Sequence, residues 1–398
     1  MALDFATPEI HDQVRQSVRD CLKPFLPQRE ALQQQIYRDK IFPRELWDAI
    51  CATGLLGCVI PEEYGGNGMG LLPAVVGIET LAQEGFSNAL MVLTTMDAAC
   101  VLRNGSEELK SRVLPQMASG EMKCGFALTE PDAGSNAFRI RTLARQDGDS
   151  FVVSGQKVFI TGADIADRLL LVARTTSREE VERQGLPKAF GMALFLLDPK
   201  APGVDLKPIP THGIEGMNQY TVYLDEVRIP ASDLVGEVDM GSKALFNSLN
   251  PERILAAATA CGMARACLDK AVAYARERKI FGDRAIGSYQ AISHPLAKSA
   301  MELDASELLT RRAAWAFDAD LPPARVGHLA NVAKYSAAEM VIAAVDRSIQ
   351  TLGGYGFSEE YGIIHYYQSA RLLRTAPISA EMILNFVAEH ELGLPRSY

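Results

Sequence analysis

Two carboxylates sit where a proton could be moved: Glu252, in the run Leu249-Asn250-Pro251-Glu252-Arg253, and Glu381, near the C-terminal end. A positioned carboxylate is a competent general base. The same run also reads as a helix start, with Asn250 as cap, Pro251 in the first helical position and Glu252 complementing the helix dipole. A third candidate is Thr129-Glu130-Pro131-Asp132-Ala133-Gly134-Ser135, whose Gly-Ser pair suits a turn or a close backbone approach. Phe159, within Lys157-Val158-Phe159-Ile160-Thr161, would by itself be a core residue of a strand. His212 and His294 have no motif around them. The seven cysteines (Cys21, Cys51, Cys58, Cys100, Cys124, Cys261, Cys267) are scattered and never form a CxxC pair, so they read as buried reduced thiols, with neither a metal site nor a disulfide framework assigned.

Residues so far apart must be carried by more than one domain, since a chain of 398 residues outgrows a single core. Its 48% hydrophobic and 22% charged residues, with a mean hydropathy of +0.01, are those of a globular protein. A net charge of −9 argues against a nucleic-acid surface. The longest apolar stretches, such as 254–263, are too short for a membrane span, and residues 1–16 lack a leader pattern, so the expected location is cytoplasmic. Residues 1–121 show helical spacing, with Pro43 opening one helix and Gly54 closing it. Residues 122–237 hold short β-rich runs at 151–155, 169–172, 192–197 and 221–224, with 177–187 expected as an exposed loop. Residues 238–398 return to helix at 244–279, 291–317 and 326–352. Small residues at 256–262 would let those helices approach closely. The expected architecture is mainly α with a central β domain: an N-terminal helical domain, a middle β-barrel-like domain and a C-terminal four-helix bundle.

Four segments in this order resemble the acyl-CoA dehydrogenase family: Phe126-Ala127-Leu128-Thr129-Glu130-Pro131-Asp132-Ala133-Gly134-Ser135, Lys157-Val158-Phe159-Ile160-Thr161, Arg278-Lys279-Ile280-Phe281-Gly282 and Gln350-Thr351-Leu352-Gly353-Gly354-Tyr355-Gly356. Residues 61–66 and Val227-Arg228-Ile229-Pro230 add to a likeness that covers most of the chain. The resemblance implies FAD as cofactor. It assigns Phe126, Leu128, Thr129, Gly134 and Ser135 to the isoalloxazine edge and pyrophosphate, Phe159 to the flavin face, and Thr161 to the neighbourhood of flavin N5. Arg278 and Phe281 are implied to reach the FAD of a neighbouring subunit, the planar guanidinium suiting bidentate phosphate contact. Gln290, Gln350, Gly353 and Gly354 belong to the same shared site, and Ser379 and Glu381 lie on the flavin side. The family thus implies a homodimer or homotetramer.

Much of the family places its catalytic Glu in a C-terminal segment. Here that segment is Thr375-Ala376-Pro377-Ile378-Ser379-Ala380-Glu381-Met382, with Pro377 at the base position. A minority, including isovaleryl-CoA and long-chain acyl-CoA dehydrogenases, carries the Glu on a bundle helix in a Leu-x-x-Glu-Arg context, which makes Glu252 the candidate base and Glu381 a cofactor contact. Ser135, Asn250, Arg253, Pro377 and Ile378 become substrate-side candidates, Ile378 offering an amide that Pro377 lacks. The implied reaction removes an α-proton and a β-hydride from an acyl-CoA thioester, in fatty acid or branched-chain acyl-CoA metabolism, and passes electrons to an electron-transfer flavoprotein. Residues 91–100 resemble the helix lining the acyl-tail pocket. A flavin monooxygenase on the same scaffold and a non-catalytic acyl-CoA-binding homologue are the competing readings.

Overall fold

The computed structural model describes residues 9–396, so the first eight residues of the leader reading lie outside the described residues. In chain order the helices are α1 (Glu9–Leu22), α2 (Arg29–Tyr37), α3 (Arg44–Cys51), α4 (Leu71–Gln83), α5 (Ala89–Asn104), α6 (Glu107–Ser119), α7 (Arg178–Arg183), α8 (Gly241–Glu277), α9 (Gln290–Asp318), α10 (Pro323–Leu352), α11 (Ile363–Leu372) and α12 (Ala380–His390). The strands are β1 (Cys124–Ala127), β2 (Leu143–Asp147), β3 (Ser150–Thr161), β4 (Arg168–Arg174), β5 (Met192–Leu197), β6 (Val204–Ile209), β7 (Gln219–Pro230), β8 (Leu234–Val235), β9 (Lys279–Ile280) and β10 (Arg284–Ala285).

Close contacts divide the chain into two units. One, residues 9–53, 71–87 and 253–396, is helical. In α3 the apolar stripe Leu46, Trp47, Ile50 and Cys51 is buried, and Gly54 follows the helix at φ +78°, a left-handed turn that suits glycine. Within the same unit α9 and α10 pack along each other, as do α1 and α4. Gly262 shows why small residues crowd this part of α8: a Cβ there would stand 2.2 Å from the Glu79 carbonyl oxygen of α4.

The other unit, residues 54–70 and 88–252, is built on an eight-stranded sheet of order β6-β7-β3-β2-β4-β5-β8, with β1 added in parallel on β4. Strands β4 and β5 are apolar runs buried almost throughout, as befits central strands covered on both faces. Two cores flank them, one including Phe151, Leu169, Phe195 and Val222, the other Val101, Leu114, Leu170 and Leu245. Residues 177–187 are not simply a loop: Ser177 caps α7 by accepting the Glu180 N–H, and Val181 is buried.

A second difference concerns Glu252. Asn250 is not a cap and Pro251 is not at a helix start; α8 runs unbroken from Gly241, and Pro251 lies inside it. Glu252 is therefore about three turns from the helix start, where the dipole argument has faded.

Candidate functional site

Within the sheet-based unit, the Thr129 and Phe159 segments are brought together by the backbone. Glu130 and Ala133 exchange N–H to carbonyl bonds of 3.1 Å, closing a tight turn, and the Val158 N–H donates to the Thr129 carbonyl at 2.9 Å. Beneath them lies a buried ion pair. The Lys157 ammonium donates to Glu130 Oε1 at 2.7 Å and to the Leu128 carbonyl at 3.0 Å, while Glu130 accepts the backbone N–H of Arg141 at 2.6 Å and of Thr142 at 3.0 Å. Burial pushes Lys157 down to about 8 in spite of Glu130. Burial also works on Glu130, in the opposite sense, but Lys157 and the backbone donors outweigh it and hold the carboxyl below its usual range. Both groups therefore stay charged at neutral pH. Arg174, equally buried, donates to the carbonyls of Phe138, Ile140 and Phe190 and so pins the segment after Ser135.

Phe159 is not core. The residue is 55% exposed, its φ is +57°, and the β3–β7 register shifts between Lys157 and Ile160. A bulge re-aims a side chain out of the strand pattern, and a left-handed aromatic residue marks a conformation held for a reason other than packing. Thr161 accepts from the Gln219 side chain at 3.5 Å. Phe126 and Leu128 are half-buried against the α5–α6 core. Gly134 and Ser135 are exposed, and a Cβ at Gly134 would meet nothing within 4 Å. Its φ is not left-handed either. Neither packing nor the turn calls for glycine there, so the open side of that backbone is free for a ligand to approach.

Asn250 and Glu252 are buried on α8, Glu252 with 9% exposure. Nearby Leu249 packs on the core that contains Ala98 and Val101 of α5. Burial, and after it the charge of Glu252, raise the Asp97 carboxyl of α5 well above its usual range. The seven cysteines are free thiols; burial pushes Cys100 up to about 12, which makes it inert.

In the helical unit, Arg278 precedes the β9–β10 hairpin and Phe281 lies in its turn, both exposed, Phe281 by 93% and with φ +50°. Gln290 opens α9. Exposed Gln350 ends α10 with Gly353 and Gly354, and Gly353 has φ +60° and ψ −129°, a combination reserved for glycine. At the far end, Ser379 caps α12 by accepting the Met382 N–H at 3.3 Å, and Glu381 is an exposed first-turn acid whose carboxyl is lowered by its own backbone N–H. Pro377 follows a cis peptide, and the Ile378 carbonyl accepts from buried Lys334. Arg253 lies on α8.

Sequence reasoning did not single out Asp97, Lys157, Arg174 or Lys334. All four are charged, a signal open to reading; what each touches depends on chain pairing that no local pattern reveals.

Three family models match in succession: the acyl-CoA dehydrogenase N-terminal domain over residues 8–121, the middle domain over 125–227 and the C-terminal domain over 239–392. The chain is 43% identical over 357 residues to acyl-CoA dehydrogenase FadE12 of Mycobacterium tuberculosis, covering 89% of each. Among solved structures it resembles butyryl-CoA dehydrogenase from Megasphaera elsdenii, with a TM-score of 0.89, 27% identity, and coverage of 98% of this chain and 100% of that one. It also resembles a glutaryl-CoA dehydrogenase from Mycobacterium smegmatis in complex with FADH2, with a TM-score of 0.84, 27% identity, and coverage of 100% and 96%.

Proposed function

The chain belongs to the acyl-CoA dehydrogenase family, and from that premise we propose that it is an FAD enzyme whose Glu252 removes the α-proton of an acyl-CoA thioester. FAD, when bound, supplies the hydride acceptor for Cβ. The exposed Phe159 ring, the open backbone at Gly134 and the hydroxyls of Thr129 and Thr161 are fitted to hold the flavin, with Arg278, Phe281, Gln350 and the Gly353-Gly354 pair of a neighbouring copy proposed at its nucleotide end. The Glu130–Lys157 pair braces the first group from beneath.

One observation carries the choice of base. A buried carboxylate in the interior of α8 is not explained by helix capping or by the dipole, and proton abstraction supplies the reason for it. Glu381 is the alternative carboxylate; its exposure and its service at the start of α12 speak for an anchoring role. The Ile378 amide is the donor proposed for the thioester oxygen, because Pro377 has none.

The acyl group is proposed to be medium, long or branched: the 91–100 stretch of α5 is buried and free of aromatic rings. Electrons are proposed to leave to an electron-transfer flavoprotein, from a homodimer or homotetramer. No helix among the described residues is long and apolar enough to cross a membrane.

Anaerobic addition of a panel of acyl-CoA thioesters tests the reading. Bleaching of the flavin band is expected with at least one of them, and Glu252→Gln should keep FAD while losing that bleaching by several orders of magnitude. Near-normal reduction in the variant would move the base elsewhere, and no bleaching with any thioester would point to oxygen chemistry on this scaffold.

A further inference from the structure

The Ile378 amide, proposed above as the donor to the thioester oxygen, lies in the segment that joins α11 to α12. Backbone bonds close that segment at its two ends. The Thr375 and Ala376 N–H groups donate to the Leu372 carbonyl at 2.7 and 3.0 Å, and the Ala380 N–H donates to the Arg374 carbonyl at 3.0 Å. Between these ties Pro377 has no N–H to give, and no group among the described residues accepts the Ile378 N–H. Ile378 is held by its other backbone group: its carbonyl accepts from the Lys334 ammonium of α10.

Lys334 is 1% exposed and stands on α10 with buried Ala330, Ala333, Ala337, Ala338 and Val341. An ammonium is costly to bury, and an apolar side chain of similar length would pack there more readily. Packing therefore gives no reason for a lysine at this position, whereas its donor end does. Further along the same helix, Glu339 accepts from Arg374 Nε at 2.7 Å. One helix thus grips the segment on both sides of Pro377, and the grip at Lys334 falls on the residue whose amide is open.

We propose that Lys334 is a positioning residue for activation of the thioester: by holding the Ile378 carbonyl it fixes the backbone of Ile378, so that the neighbouring N–H is already aimed where the thioester oxygen gains negative charge as the α-proton leaves. The proposal rests on the reading of the Ile378 amide as that donor. A donor lowers the barrier to the extent that it needs no reorientation during the reaction. With the Pro377 N–H missing and the Ile378 N–H uncommitted inside the segment, the bond from α10 is what restrains this residue. A displacement of about 1 Å at such a point can cost on the order of a hundredfold in rate.

The vibration of the substrate carbonyl tests it in the FAD-loaded enzyme. The probe is the 3-thia analogue of the thioester that bleaches the flavin best, labelled with carbon-13 at its carbonyl; sulfur in place of Cβ leaves no hydride to lose, so the complex persists. A carbonyl that accepts a hydrogen bond vibrates at lower frequency, and the wild type should show that downshift in infrared difference spectra. Lys334→Met should lose a large part of it. The same variant should reduce flavin roughly ten- to hundredfold more slowly at saturating thioester, with FAD content and the half-saturating thioester concentration close to wild type. An unchanged downshift with a wild-type rate would make Lys334 a packing residue and overturn the proposal. Should Lys334→Met fold poorly or lose FAD, a semisynthetic chain with the hydroxy-acid counterpart of Ser379 decides, because the resulting ester weakens the Ile378 carbonyl as an acceptor and leaves the lysine in the core. It should lose downshift in the same way, and a wild-type downshift there sinks the proposal. The hydroxy-acid counterpart of Ile378, which lacks the N–H itself, separates the two levels. A downshift that survives this change removes the Ile378 amide as donor; one that it abolishes and Lys334→Met leaves intact removes only Lys334.

Discussion

Single side chains in this protein do most where they are charged and buried. Lys157 and Glu130 are tied to each other and to three backbone groups, the Leu128 carbonyl and the Arg141 and Thr142 N–H, beside the segments that present Thr129 and Phe159. Removing one partner of such a pair leaves the other charged in a dry place, which costs more than the pair itself contributes. Lys157→Met should therefore lower the unfolding free energy by about 3–5 kcal/mol in urea titrations, and adding Glu130→Gln should recover a good part of it. Equal loss in the single and double variants would show that the methylene packing, and not the charge, is what matters. Phe159 carries the same lesson in its backbone: a Lys-x-Phe-Ile-Thr string reads as strand, and only the shifted pairing with β7 turns the ring outward.

Between elements, the helical unit holds a cluster that should answer to pH. Glu79 of α4 is half-buried, and desolvation first, then Glu307 of α9, raise its carboxyl to about 7, against the pull of Arg311, whose nitrogen lies 3.5 Å away. The folded chain thus keeps a proton that the unfolded chain gives up between about pH 4.5 and 7. More protons are bound folded than unfolded across that window, so this group's contribution is present at the acid end and is lost as pH rises towards 7. Glu79→Gln should flatten that slope, by on the order of 2–3 kcal/mol across the window, in urea unfolding at a series of pH values. An unchanged slope would place the titration elsewhere. α4 packs closely on α8 at Gly262, and that approach was legible in the small residues at 256–262, whereas the acid opposite them was not.

Across the whole molecule, the exposed apolar residues of the helical unit are the features a lone chain does not explain. Phe281 is 93% exposed and Met301 of α9 is 73% exposed. With Arg278 they fit the proposal of a flavin site shared between copies. Arg278→Ala should then weaken FAD retention and self-association together, read as flavin absorbance per chain and as mass by light scattering. A full-size oligomer with full flavin content would separate the two and remove Arg278 from a shared site.

The order of four short motifs determined the family and the cofactor, and residue spacing the helix–sheet–helix plan, because motifs and spacing alike are local. The strands at 151–155, 169–172, 192–197 and 221–224 were legible for the same reason, alternation and β-branching being properties of neighbours in sequence. Tertiary structure decided the rest. Whether Pro251 starts a helix or lies within one depends on whether residues 241–250 have something to pack on, and the core at Val101, Leu114 and Leu170 supplies it. That Lys157 of β3 meets Glu130 follows likewise from packing between segments well separated in sequence, which no local pattern reveals.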